Sequence, residues 1–81
     1  MSKIKLYTRE LCGWCIEAKD YLRAQGLAFE EIDVSDPAAY AEMQRISGQR
    51  YVPTLVVDDQ HVLANFDVGQ LQEFLGQLKI P

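Results

Sequence analysis

"KIKLYTRELCGWCIEAKDYLRAQGLAFEEIDV", residues 3–34, decides the fold. Its first residues alternate. Ile4, Leu6 and Thr8 fall on one side of an extended chain, and Lys3, Lys5 and Tyr7 on the other, which is the two-residue period of a strand. From Cys12 the period lengthens. Cys15, Ala18 and Leu22 share one helical face, Glu17, Asp20 and Arg23 lie elsewhere, and Gly26 offers a stop. A second strand is expected over residues 28–34, its acidic positions pointing to a sheet edge. Such a β-α-β unit is expected to be parallel and right-handed.

Working outward, Asp36 and Pro37 begin a second helix. Asp36 is expected as its cap, and Pro37 stands at the first helical position, where a missing N–H costs nothing. That helix should run to about Ser47 and stop at Gly48. Leu55 to Val57 reads as a buried strand, and Asp58-Asp59-Gln60 as a hairpin turn into a strand at residues 61–64. Asp67 with Gln70 has the pattern of a capping box, and Val68, Leu71, Phe74, Leu75 and Leu78 form one apolar stripe. The order is β-α-β-α-β-β-α. It predicts an α/β architecture, a four-stranded mixed sheet flanked by three helices, in one domain over residues 1–81.

The 81 residues are close to the smallest chain that one core can support. A formal charge of −4 argues against nucleic acid as a partner, since phosphates need a basic face. No run approaches the length of a membrane span, and the N-terminal residues lack the apolar core of a secretory signal, so the chain is expected in the cytoplasm. Reducing conditions there make a purely structural disulfide a poor explanation for the two cysteines. A bridge across a two-residue gap would also restrict the unfolded chain little.

The cysteines can be read three other ways. As buried small hydrophobes they would need no chemistry. A structural zinc site wants four Cys or His ligands, whereas this chain has two cysteines and one histidine, His61, beside a turn; two chains would have to share the metal. The third reading is redox. With a helix starting at Cys12, the sulfurs lie one turn apart, a rise of roughly 4.5–5.4 Å, inside the Cα separation of about 4.4–6.8 Å that a disulfide needs. Cys12 would meet the unpaired amides of Trp14 and Cys15, and Arg9 could add a full positive charge. Such surroundings lower a thiol pKa and favour the thiolate. Cys15, a turn inside on the apolar face, should be more buried. Cys12 is then the nucleophile and Cys15 the resolving thiol, and a C-x-x-C in a βαβ setting reads as thioredoxin-like.

Three segments, "LYTRELCGWC" (6–15), "SGQRYVPTLVV" (47–57) and "NFDVGQL" (65–71), resemble those of glutaredoxins in order and spacing. The resemblance spans essentially the whole chain. It implies a thioredoxin fold, glutathione as reductant, and reduction of protein disulfides and glutathione mixed disulfides; the chain is expected as a monomer. It further implies that Cys12 becomes glutathionylated and Cys15 resolves. Trp14 takes the place of an aromatic beside the nucleophile. Tyr51, Val52 and Pro53 match the family's Thr-Val-Pro loop, whose proline is cis and whose valine backbone pairs with glutathione as a strand would. Arg9 and Gln49 match positions that hold the glycyl carboxylate. The amides of Asp67 and Val68 match those that receive the γ-glutamyl carboxylate, with the Asp67 carboxylate near the ammonium.

The chain also departs from the family pattern. Gly13-Trp14 replaces the usual Pro-Tyr, Tyr51 replaces Thr, Ala64-Asn65 stands where Gly-Gly is common, and Val68 replaces an acidic residue. Two alternatives follow from the resemblance. One is a glutaredoxin-like redoxin reduced by thioredoxin reductase. The other is a carrier of a [2Fe–2S] cluster held between two chains by Cys12 and glutathione, with Gly13 freeing the backbone.

Overall fold

The computed structural model describes residues 3–80; residues 1, 2 and 81, the ends of the expected domain, lie outside the described residues. Seven elements follow in the predicted order: β1 (Ile4–Thr8), α1 (Gly13–Ala24), β2 (Glu30–Asp33), α2 (Pro37–Ser47), β3 (Thr54–Val57), β4 (His61–Ala64) and α3 (Val68–Gln77). The strands form one mixed sheet in the order β2-β1-β3-β4. β1 pairs parallel with β2, and the other two pairings are antiparallel. Among the described residues, no helix is long and apolar enough to cross a membrane.

Both faces of the sheet are covered. On one side Ile4, Leu6, Leu55 and Val57 pack with Ala18 and Leu22 of α1 and with Leu71 and Leu75 of α3. On the other, Tyr7, Val34 and Val56 pack against Met43 of α2. On that face of β1 Tyr7 lies beside Lys5. Tyr7 is fully buried, because α2 covers this face of the sheet. Its phenol donates to Glu42 of α2. Burial first, then the Glu42 carboxylate, pushes the Tyr7 pKa well above the ordinary phenol value.

The corrections are local. β2 is confined to Glu30–Asp33, since β1 offers it partners only from Lys5 to Thr8. Its exposed acidic side chains do stand at the sheet edge. Asp36 occupies the N-cap of α2, with Pro37 in the first turn, yet its side chain makes no capping hydrogen bond. Its carbonyl instead accepts the first helical bond, from Tyr40 at 3.0 Å. Gly48 ends α2 at φ 71°, a left-handed conformation that an added Cβ would strain. Asp58 and Asp59 both have positive φ, which suits a tight hairpin between β3 and β4.

α3 begins with the full capping box. Asp67 Oδ1 accepts from the Gln70 amide at 2.8 Å, and Gln70 Oε1 accepts from the Asp67 amide at 3.0 Å. β1 ends, β3 begins and β4 ends at the same edge of the molecule, as the pairs Tyr7–Thr54 and Thr54–Ala64 require. The three loops leaving this edge carry Cys12, Pro53 and Asp67.

Candidate active site

Cys12 is the N-cap of α1 rather than its first helical residue, with φ −106° and ψ 107°. An N-cap side chain accepts from an amide two or three positions on. Here the Cys15 amide donates to Cys12 Sγ at 3.1 Å. The Trp14 amide, expected as a second donor, makes no such bond. No carboxylate occupies the first turn of α1, so the positive end of the helix is not neutralised locally.

Cys12 and Cys15 form a disulfide with Cα atoms 5.2 Å apart, within the range expected for one helical turn. The two sulfurs differ in access. Cys15 is buried on the apolar face with Ala18 and Leu22, whereas Cys12 is half-buried at the mouth of the helix. Trp14, between them, is half-exposed. Beneath the loop, the buried Thr8 hydroxyl donates to Glu31 at 3.0 Å. The Lys19 ammonium, 3.1 Å from the same carboxylate, holds its pKa below the ordinary glutamate value.

The loop opposite is built on a cis Val52–Pro53 peptide bond, as the resemblance implies. Pro53 is buried, and its carbonyl accepts from the Asn65 amide at 2.8 Å, tying this loop to the one that leads into α3. Gln49 has a different role from the expected one. Its amide nitrogen donates to Ser47 Oγ and to Thr54 Oγ1, both at 2.9 Å, and its carbonyl accepts from the Tyr51 amide at 2.7 Å. Thr54 Oγ1 in turn donates to the Tyr51 carbonyl at 2.8 Å. Gln49 therefore braces the turn that carries Tyr51, Val52 and Pro53, and its amide is engaged within the chain. Ser47 and Thr54 were not singled out in the sequence because their role exists only once this loop has closed.

Arg9 is exposed, with its guanidinium 6.0 Å from the centroid of the Tyr40 ring on α2. Arg50 lies 5.9 Å from the Tyr51 ring centroid. An open cavity of about 480 Å³ is lined by Gln44, Gly48, Gln49, Arg50 and Tyr51. At the third loop, the Asp67 amide is taken by Gln70, and Val68 is half-buried.

A metal site within one chain does not fit. Among the described residues, no three or more His, Cys, Asp or Glu side chains are grouped to hold an ion. A cluster would have Cys12 as the one accessible sulfur per chain, with the other ligands supplied from outside. A Cβ at Gly13 would meet nothing within 4 Å, so crowding does not demand the glycine.

What this arrangement can do is thiol–disulfide exchange: an accessible sulfur at a helix mouth, a buried partner within bonding distance, and a cis-proline loop alongside. The comparisons agree. The family model Glutaredoxin matches residues 4–62. A glutaredoxin of Neisseria meningitidis serogroup A is 40% identical over 75 residues, covering 90% of this chain and 88% of its own length. Among solved structures, the thioredoxin-like protein BC3987 superposes with a TM-score of 0.80 at 35% identity, over 90% of this chain and all of its own. NrdH-redoxin from Escherichia coli, described as a glutaredoxin-like protein with a thioredoxin-like activity profile, gives 0.72 at 27% identity over 88% and 92% of the two chains. With the fold, the cysteine pair and the family match in accord, the chain belongs to the glutaredoxin family of thiol–disulfide oxidoreductases.

Proposed function

We propose that this chain uses glutathione as its reductant, in the cytoplasm, to reduce protein disulfides and glutathione mixed disulfides. The observation that carries the reading is the asymmetry of the two sulfurs: Cys12 is reachable and faces the Cys15 amide, while Cys15 is buried behind it.

On a glutathionylated protein, the Cys12 thiolate attacks the glutathione sulfur. The protein thiolate leaves, and Cys12 carries glutathione. A second glutathione thiolate attacks that sulfur, releasing glutathione disulfide and restoring Cys12. On a protein disulfide, Cys12 first forms a mixed disulfide with the substrate. Cys15 then attacks Cys12, releases the reduced substrate and leaves the Cys12–Cys15 disulfide seen here. Two glutathione molecules reduce it, giving up two electrons as one glutathione disulfide.

Arg9, three residues before Cys12, and Arg50, three before cis-Pro53, would supply cations for glutathione's carboxylates. Val52, preceding cis-Pro53, is the residue whose backbone would pair with its cysteine. Trp14, two residues after Cys12, and Tyr51, two before cis-Pro53, offer half-exposed faces. Val68 opens the helix whose N-terminus would take the γ-glutamyl carboxylate, although Gln70 must first yield the Asp67 amide.

A specific observation favours a second reading. Gln49 and the Asp67 amide, two of the groups glutathione would need, already have partners inside the chain. That suits a redoxin served by thioredoxin reductase. The experiment is reduction of a small glutathione mixed disulfide with either glutathione plus glutathione reductase or thioredoxin reductase as electron source. Turnover with glutathione is expected. Turnover with thioredoxin reductase alone would move the chain to the redoxin reading.

A further inference from the structure

Arg9 has an anchored neighbour of its own. It follows the last residue of β1 and stands three residues before Cys12. An exposed arginine ordinarily samples many rotamers, and a ligand that binds it must first halt that motion. Here the guanidinium lies 6.0 Å from the centroid of the Tyr40 ring, at cation–π range. Tyr40 is half-buried on α2 and packs against the buried group of Tyr7, Val34, Met43 and Val56. The core therefore holds the ring, and the arginine rests on it.

Two carboxylates stand near enough in the fold to compete for this cation. Asp33, at the end of β2, is the register partner of Thr8. Its Oδ1 accepts from the Ser35 amide at 2.9 Å. The hydrogen bonds from Ser35 are the main cause that holds the Asp33 pKa below the ordinary aspartate value, and the charge of Arg9 adds less. Glu10 follows Arg9 directly in the chain. Among the described residues, neither carboxylate forms a salt bridge with Arg9. The ring thus steadies the guanidinium without neutralising it, and its charge stays available to a carboxylate from outside.

We propose that Tyr40 is a positioning residue for the exchange reaction: its ring holds the Arg9 guanidinium ready for a carboxylate on the glutathione half of the disulfide that Cys12 attacks. The proposal rests on the reading of glutathione as a ligand of this chain. Tyr40 touches no reacting atom and acts through Arg9 alone. Its effect falls on the encounter, because less side-chain freedom remains to be lost when the carboxylate arrives.

The test compares two small disulfides as oxidants of the pre-reduced protein. Glutathione disulfide carries carboxylates, and bis(2-hydroxyethyl) disulfide carries none. In both reactions the Cys12 thiolate attacks one sulfur and the first half leaves as its thiolate. Cys15 then attacks Cys12 and releases the second half, so the protein's dithiol supplies the two electrons. Acid quench, alkylation of the remaining thiols and mass measurement follow the oxidation. The readout is the ratio of the two rates, glutathione disulfide over the uncharged one. Arg9→Gln is expected to lower this ratio severalfold. Tyr40→Leu keeps an apolar side chain against the core but removes the ring face. It is expected to lower the ratio about two- to fivefold, the size of one exposed cation–π contact. Tyr40→Phe is expected to keep it. In the Arg9→Gln background, Tyr40→Leu should lower it no further. Equal slowing with both disulfides would overturn the proposal. So would a further fall in the Arg9→Gln background, or a ratio that Arg9→Gln lowers and Tyr40→Leu does not. Each of these leaves the glutathione reading standing. A ratio that Arg9→Gln itself fails to move would overturn the place given to Arg9 in glutathione binding, and this proposal with it.

Discussion

The side-chain amide of Gln49 donates to Thr54 Oγ1 at 2.9 Å, joining the end of α2 to the start of β3 across the turn that holds cis-Pro53. The same amide reaches Ser47 and the backbone of Tyr51, so one side chain sets the shape of the loop facing Cys12. A residue that resemblance assigns to ligand binding is thereby a positioning residue. Gln49→Ala is expected to cost about 1–2 kcal/mol of stability, from hydrogen bonds lost at a part-buried site. It should also raise the Michaelis constant more than it lowers turnover, because the loop loosens while the sulfurs stay in place. Denaturant unfolding and steady-state kinetics check both; an unaltered Michaelis constant would contradict the bracing role.

Tyr7 gives a prediction at alkaline pH. Its folded pKa is raised above the ordinary 10.0, by burial and by the Glu42 carboxylate. The folded state therefore favours the neutral phenol. That contribution is complete below pH 10 and is lost as the pH rises past it. Stability measured from pH 9 to 11 should fall more steeply for the unaltered protein than for Tyr7→Phe. Parallel curves would show that the buried phenol does not govern this limb.

The capping box of α3 is testable on its own. Asp67→Ala removes the acceptor for the Gln70 amide and is expected to cost about 0.5–2 kcal/mol. Gln70→Ala frees the Asp67 amide, so it should cost less and should lower the Michaelis constant for a glutathionylated substrate. A rise in that constant would mean that Gln70 helps to build the pocket rather than occupying it.

Arg9 stands three residues before Cys12, its guanidinium near Tyr40 and exposed. Arg9→Glu should raise the Michaelis constant for glutathionylated substrates severalfold, with the difference shrinking as salt is added. Unchanged kinetics would remove Arg9 from substrate binding.

The features legible in the sequence are those that depend on near neighbours. The Asp67–Gln70 box, the stop at Gly48 and the Asp58-Asp59 turn are relations over two or three residues, and each stands where it was read. The Cys12–Cys15 spacing is equally local. What escaped needs the assembled molecule. Tyr7 is buried because α2 lies over that face of the sheet, and no alternation within β1 encodes it. Gln49 turns inward because Tyr51 and Thr54 come back to it around a cis bond. The absence of a side-chain cap from Asp36 and the left-handed backbone of Leu11 are likewise matters of how the chain closes, which residue type alone does not disclose.

The most direct measurement is to trap the first intermediate. Purified Cys15→Ser and Cys12→Ser variants are treated with glutathione disulfide and analysed by mass spectrometry with peptide mapping. If Cys12 is the nucleophile and takes glutathione, Cys15→Ser will carry one glutathione on Cys12 and will still turn over glutathione mixed disulfides, while Cys12→Ser will be inactive and unlabelled. Labelling at Cys15, or no stable adduct on Cys12, would contradict the assignment of Cys12 as the sulfur that meets glutathione.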